Sequence, residues 1–138
     1  MKNNILIVDD SKPILCLLEA ILGKYYQINA VSDGLAAIDW LSLGNKPDLI
    51  ISDVQMPNID GWELAQHLST SALYEDIPII ILSGVNGEEI KNKCEAYGVS
   101  DYINKPFDPI HLLEKVRNIF AMSPLKKKEI SRFDLLIR

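Results

Sequence analysis

Short apolar segments alternate with helix-like patterns along the chain, and the alternation occurs five times. The apolar segments are rich in β-branched residues and most are continuous, which is typical of strands buried on both faces of a parallel sheet. They comprise residues 5–8, 26–31, 49–51, 77–82 and 102–103. Strand-helix pairs with short connections require right-handed crossovers. The pattern therefore predicts an α/β fold: a doubly wound five-stranded parallel sheet with five helices in a three-layer sandwich.

The predicted helices carry apolar residues at helical spacing, and Ser11 and Asp60 are placed to cap the first and the third. The stripes expected to face the sheet comprise Ile14, Leu17, Leu18, Ile21 and Leu22; Leu35, Ile38 and Leu41; Leu64, Ala65 and Leu68; Ile90, Cys94 and Tyr97; and Ile110, Leu113, Val116 and Phe120. An amphipathic helix is held to its sheet by its apolar face. Because the fourth stripe is the thinnest, we expect the fourth helix, residues 88–97, to be the most mobile.

The composition indicates one globular domain of ordinary size. The chain has 138 residues, of which 48% are apolar and 24% charged. A net charge of -5 and a pI near 5.0 argue against nucleic-acid binding, which requires clustered Lys and Arg. No apolar run approaches the roughly 18 to 20 residues of a membrane span, and no signal-peptide pattern opens the chain. We therefore expect a cytoplasmic protein that binds proteins or cations and neither nucleic acid nor membrane.

The cysteines and the C-terminal residues carry weaker signals. Cys16 and Cys94 lie far apart without a CxxC or metal-ligand spacing, so we expect both to be buried, reduced thiols. The helical pattern ends near residue 121, and a Ser-Pro pair and a run of three lysines follow. We therefore assign residues 1–121 to one domain and residues 122–138 to a C-terminal extension or linker. The extension could dock on the domain, mediate dimerisation, lead into a further domain or form a partly ordered tail.

Polar side chains follow the predicted strands at their carboxyl ends: Asp9 and Asp10 after the first, Asp53 after the third, Ser83 after the fourth and Lys105 after the fifth. Because carboxyl ends of parallel strands meet at one edge of the sheet, we expect one pocket there. Carboxylates about 4 Å apart repel by roughly 4 kcal/mol per pair at an effective dielectric near 20, so the cluster needs a cation.

All-oxygen ligands favour Mg2+, which keeps coordination positions for phosphate oxygens. Lys105 is a compact cation suited to a phosphoryl oxygen, and Ser83 can donate one further hydrogen bond. The predicted pocket is therefore suited to a phosphoryl group.

Together these motifs resemble the receiver domain of the response regulators of bacterial two-component systems, whose flavodoxin-like fold is shared with chemotaxis regulators. The resemblance covers about residues 4–121. It rests on the acidic pair after the first strand, on residues 53–57 with Asp60-Gly61, on Ser83-Gly84 and on residues 101–107. Jointly these motifs are highly specific, whereas an acidic pair alone is weak.

The resemblance implies a chemistry for the pocket. Asp53 would be the phosphoacceptor and would take a phosphoryl group from the phosphohistidine of a sensor histidine kinase or histidine phosphotransfer protein. Mg2+ would be bound by Asp10, Asp53 and the backbone carbonyl of Gln55, with Asp9 reached through water. Lys105 would clamp the phosphoryl oxygens. The domain itself would be a phosphoacceptor rather than an enzyme, apart from autodephosphorylation.

The resemblance also implies a conformational switch. Ser83 would move to the phosphoryl group and Tyr102 would turn inward into the vacated space. The surface of the fourth helix, fifth strand and fifth helix would change, and it would contact a downstream protein target, an effector domain or a second copy in a homodimer.

Other functions stay open or are disfavoured by particular residues. The domain could be an intermediate or a phosphate sink in a phosphorelay, or the N-terminal receiver of a longer regulator with an effector domain, and the sequence does not separate these. A phosphohydrolase resembling the haloacid dehalogenase class would have an acid two residues after the nucleophile, where Gln55 stands. A dinucleotide enzyme would have a glycine-rich loop after the first strand, and none is present.

Overall fold

The computed structural model describes residues 2–85 and 87–122, and its strands are β1 (Asn4–Val8), β2 (Gln27–Val31), β3 (Leu49–Asp53), β4 (Ile79–Ser83) and β5 (Asp101–Asn104). They form one sheet in the order β2-β1-β3-β4-β5, and every neighbouring pair is parallel. The order reverses between β1 and β3, since β1 connects to β2 on one side and lies beside β3 on the other. The predicted five-stranded, doubly wound class is confirmed.

The helices are α1 (Lys12–Leu22), α2 (Gly34–Ser42), α3 (Gly61–Ser69), α4 (Glu88–Tyr97) and α5 (Pro109–Ala121). Ser11 and Asp60 cap α1 and α3 as predicted, and Asp60 forms a reciprocal capping box with Glu63. α4 ends at Gly98, whose left-handed φ of 74° favours glycine. No helix among the described residues is both long and apolar enough to cross a membrane.

The chain divides into two compact units, one ending at Phe107 and one beginning at Asp108. The sheet and α1 to α4 belong to the first unit, and α5 belongs to the second. Within α5 the buried residues are Leu112 and Val116, whereas Ile110 is 67% exposed, so the predicted stripe was wrong at Ile110. The predicted extension, residues 122–138, lies outside the described residues except for its first.

The core of the first unit is built on the central strands, whose apolar side chains are buried. In α1 the buried residues are Leu18 and Leu22, four positions apart. Each residue turns a helix by about 100°, so Leu17 lies well to the side of this stripe and is 45% exposed. The prediction for Leu17 was therefore wrong. Cys16 lies about 200° from Leu18 and is exposed, which corrects the prediction of a buried thiol there.

Similar geometry applies to α2. Its buried residues include Ala37 and Leu41, again four positions apart, while Leu35 is 45% exposed, contrary to prediction. In α4 the expected thin stripe is confirmed, because only Ile90 and Cys94 of this helix are buried. The mobility of α4 stays a prediction.

Candidate functional site

Three carboxylates meet at the carboxyl edge of the sheet, where the strand order reverses. Asp9 and Asp10 follow β1, and Asp53 is the last residue of β3. One oxygen from each lies within 4.8 Å of the others. In open α/β sheets, ligands bind in the crevice at this reversal point. The predicted convergence of these three carboxylates is therefore present, and their oxygens could hold a hard cation.

Asp9 is the most buried member of this cluster, with 0% of its surface exposed. Its Oδ1 accepts a hydrogen bond of 2.9 Å from the Ser11 N–H, while its buried Oδ2 has no hydrogen-bond partner within residues 2–85 and 87–122. Burial raises the pKa of Asp9 above its ordinary value, and the nearby Asp53 charge adds to this, while the Ser11 hydrogen bond opposes it. A cation bound among these oxygens would give Oδ2, through a water that it coordinates, the partner that it lacks.

Asp53 is held by two donors on one oxygen. Its Oδ1 accepts a hydrogen bond of 2.7 Å from the Lys105 ammonium and one of 2.8 Å from the Val54 N–H. The Asp53 side chain is 14% exposed and the Lys105 side chain 29% exposed, so this ion pair lies in a partly desolvated crevice that is still open to solvent. The fold brings together two residues that are 52 positions apart in the chain.

Lys105 is positioned by the edge of the sheet. Its backbone N–H donates a hydrogen bond of 2.7 Å to the Ser83 carbonyl, and this bond extends the β4–β5 ladder by one residue. The following Lys105-Pro106 peptide bond is cis. The backbone therefore ties Lys105 to the end of β4, where Ser83 lies.

The Ser83 hydroxyl is engaged with its own loop rather than with Asp53. It donates a hydrogen bond of 3.0 Å to the Val85 carbonyl and accepts one of 3.0 Å from the Val85 N–H. Ser83 is 3% exposed, and it lines the same cavity as Asp53 and Lys105. Tyr102 lies two residues before the end of β5, half-buried and packed against the core of the first unit.

The cavity has a volume of about 850 Å³ and extends from Asp53, the one member of the acidic cluster among its lining residues, along α3 and α4. Trp62 of α3 and Ile90 and Lys93 of α4 line it. Trp62 is 6% exposed, and the Lys93 ammonium lies 5.2 Å from its ring centroid. Sequence reasoning did not place Trp62 at the site, although its place in the first turn after the Asp53 loop was a usable signal.

Gly61 holds the loop after Asp53 close to the strand. Its N–H donates a hydrogen bond of 2.9 Å to the Val54 carbonyl, and a Cβ at Gly61 would overlap the Asp53 carbonyl oxygen. Only glycine permits this approach. Gln55 lies in the same loop, exposed, and lines the cavity, which keeps its backbone carbonyl a candidate cation ligand.

Comparison with known proteins shows the family to which this fold and site belong. The family model described as the response regulator receiver domain matches residues 5–117, so the chain belongs to this family. A solved signal receiver domain of a signal transduction histidine kinase from Syntrophus aciditrophicus is 35% identical, with a TM-score of 0.79, and covers 86% of this chain and 90% of that chain.

The curated relatives are longer proteins. Hybrid signal transduction histidine kinase D of Dictyostelium discoideum is 32% identical over 89% of this chain, which spans 8% of that protein. Response regulator PleD of Caulobacter vibrioides is 30% identical over 95% of this chain, which spans 30% of that protein. The chain is thus a receiver domain of the two-component type, homologous to those of response regulators and histidine kinases, and a phosphoacceptor signalling role fits it.

Proposed function

We propose that this receiver domain accepts a phosphoryl group on Asp53 from the phosphohistidine of a sensor histidine kinase or a histidine phosphotransfer protein. The observation that carries the proposal is the pairing of Asp53 with Lys105 beside two further carboxylates. A carboxylate oxygen of Asp53 would attack phosphorus as the phosphorus-nitrogen bond breaks, and the histidine nitrogen would leave. The product is an aspartyl phosphate.

Lys105 has two successive roles in this proposal. Before transfer its ammonium holds Asp53 Oδ1 at 2.7 Å and so orients the carboxylate. During transfer the same ammonium would bind a phosphoryl oxygen and neutralise its charge. Phosphoryl transfer depends on positioning and charge neutralisation more than on proton movement, so this one side chain supplies much of what is needed.

The acidic cluster fits Mg2+ held by Asp10, Asp53 and the backbone carbonyl of Gln55, with Asp9 reached through water. The support is an all-oxygen donor set and the partnerless, buried Oδ2 of Asp9 among the described residues. When bound, such a cation would help to neutralise the negative charge of the phosphoryl group, together with Lys105. Asp10 is exposed, so the site is accessible from solvent.

The proposed output is a change at Ser83 and Tyr102. A phosphoryl group on Asp53 would attract the Ser83 hydroxyl away from Val85, and Tyr102 would turn into the vacated space. α4 and β5 carry the residues next to this change, so a downstream protein, an effector domain or a second copy would contact them. Phosphorylation shifts the equilibrium between the resting and the changed conformation only as far as the phosphoryl group interacts more favourably with one of them.

A second candidate is a receiver within a longer signalling protein or phosphorelay. The observation that favours it is the short span of this chain on its relatives, 8% of the hybrid kinase and 30% of PleD. In that setting the same Asp53 chemistry would serve as an intermediate or a phosphate sink, or would control an attached effector. Partner, output and cytoplasmic location are all predictions.

The test is intact-mass analysis after incubation with acetyl phosphate and Mg2+. Wild type is expected to gain the mass of one phosphoryl group, while Asp53→Asn and a chelated sample gain none. Asp39→Asn, an exposed aspartate on α2, is the matched control and is expected to behave as wild type. No mass gain by folded wild-type protein would contradict the proposal.

A further inference from the structure

Asn104 lies between two residues of the site but has no role in the proposed chemistry. It is the last residue of β5, it is paired in register with Ser83, and Lys105 follows it. Paired residues on neighbouring parallel strands project from the same face of the sheet. The Asn104 side chain therefore projects beside that of Ser83.

The amide of Asn104 carries a hydrogen-bond acceptor that is not used. Its Oδ1 is buried and has no hydrogen-bond partner among residues 2–85 and 87–122. Buried polar side-chain atoms nearly always have a partner, so an exception beside a functional site calls for a physical reason. The amide also carries donors, so the side chain can both accept and donate hydrogen bonds.

Movement of Ser83 would leave the N–H and the carbonyl of Val85, a complementary donor and acceptor, without the partner that they have in this structure. In this structure one hydroxyl satisfies both the N–H and the carbonyl of Val85, each at 3.0 Å. If that hydroxyl turned to a phosphoryl group on Asp53, the Val85 N–H would lose its acceptor and the Val85 carbonyl its donor. A neighbouring amide can replace both, because it carries one acceptor and two hydrogens.

We propose that Asn104 is a positioning residue that binds Val85 in the phosphorylated state, with its Oδ1 accepting from the Val85 N–H released by Ser83. The inference rests on the proposed phosphorylation of Asp53. In the resting state Ser83 holds the loop after β4, and in the phosphorylated state Asn104 holds it. Asn104 thereby lowers the free energy of the phosphorylated conformation without contacting the phosphoryl group.

The test measures amide hydrogen exchange at Val85 by NMR, without ligand and with saturating Mg2+ and beryllofluoride, which mimics a bound phosphoryl group. In wild type we expect the Val85 amide to be protected in both states. In Asn104→Leu, which keeps the size and removes the amide, we expect normal protection without ligand and exchange about tenfold faster with it. Asn104→Asp keeps an acceptor in the same place and is expected to retain protection.

Two further variants keep the test decisive. Asn29→Leu makes the same exchange in β2, at the opposite edge of the sheet, and is expected to leave Val85 unchanged. Asn104→Ala replaces Asn104→Leu if the leucine variant does not fold. Unchanged protection of Val85 in the loaded Asn104→Leu or Asn104→Ala protein would overturn the inference, as would lost protection in Asn104→Asp. If beryllofluoride shifts no signal of wild type, the proposed function itself fails, and this inference with it.

Discussion

The two helices that border the cavity differ in how firmly they are held. α3 begins with a reciprocal capping box, and five of its nine residues are buried. α4 begins after Gly87, which has no side chain with which to cap it, and two of its ten residues are buried. Buried apolar area is the main stabilising contribution to a surface helix. We therefore expect α3 and the Asp53 loop to be the rigid side of the site and α4 the weakly held side.

This difference suits a domain that must position a reaction and also change shape. Phosphoryl transfer needs carboxylates held at fixed positions. Asp9 and Asp10 directly follow β1 and Asp53 ends β3, and Gly61 packs against the Asp53 backbone. A switch needs an element whose local opening costs little, and we expect α4 to be that element because only two of its residues are buried. The resting bonds of Ser83 are made to Val85 in the loop that leads to α4, on the weakly held side.

The largest expected effect comes from truncating one core residue on each side. Leu64→Ala in α3 is expected to lower the free energy of unfolding by about 2–5 kcal/mol, because Leu64 is fully buried and a cavity would remain. Ile90→Ala in α4 is expected to fall at the lower end of that range and to speed amide exchange chiefly within α4. Urea unfolding and hydrogen exchange measure the two effects. Equal losses with uniform exchange in both variants would show that the two sides are equally held.

A second comparison uses glycines on the two sides. Gly61→Ala is expected to destabilise the protein by about 1–3 kcal/mol, since the new Cβ would push the Asp53 carbonyl and the Val54 backbone away from the start of α3. Gly84→Ala, where no atom of the described residues lies within 4 Å of the added Cβ, is expected to change stability by less than about 0.5 kcal/mol. Urea midpoints measure both. A Gly61→Ala protein as stable as Gly84→Ala would mean that the Asp53 loop is not tightly held.

The smallest effect concerns Asp9 and pH. Its pKa is raised in the folded protein, so the folded state binds the proton more tightly than the unfolded chain does. The stability contribution of Asp9 is therefore fully present below its unfolded pKa of about 3.8 and is lost as the pH rises through the folded value. In metal-free protein at neutral pH, Asp9→Asn is expected to be slightly more stable than wild type.

The measurement is the difference in melting temperature between wild type and Asp9→Asn, without metal, across the acid range. The advantage of Asp9→Asn should grow as the pH rises through the folded pKa and then level off. Adding Mg2+ should stabilise wild type more than the variant. An advantage that is independent of pH would contradict the assigned cause, which is the burial of a charged carboxylate beside Asp53.

Sequence patterns alone predicted much of the fold and the site. Continuous β-branched segments predicted the strands, and helical spacing predicted the helices. The positions of Asp9, Asp10, Asp53, Ser83 and Lys105 after strands predicted their convergence, because the edge at which a parallel strand ends does not depend on packing details. The carboxylate cluster, the Asp53–Lys105 pair and the shared cavity agree with that expectation.

Local pattern did not determine which of several adjacent apolar residues is buried. Leu17 and Leu18 are both leucines, but only Leu18 faces the core, because packing sets the rotation of α1 about its axis. The same rotation exposes Cys16. Trp62 was not expected at the site, since its neighbours Lys93 and Tyr97 come from α4 and are brought to it only by folding.

The order of elements and the chemical groups at the edge of the sheet could be predicted from the chain, since both follow from the period of the pattern and from residue type. The hydrogen-bond partners are known only from the fold: Lys105 on one oxygen of Asp53, Val85 on the Ser83 hydroxyl, and no partner for the Asn104 oxygen among the described residues. A side-chain hydrogen bond depends on a rotamer and on distances between strands far apart in sequence, and no local pattern specifies either.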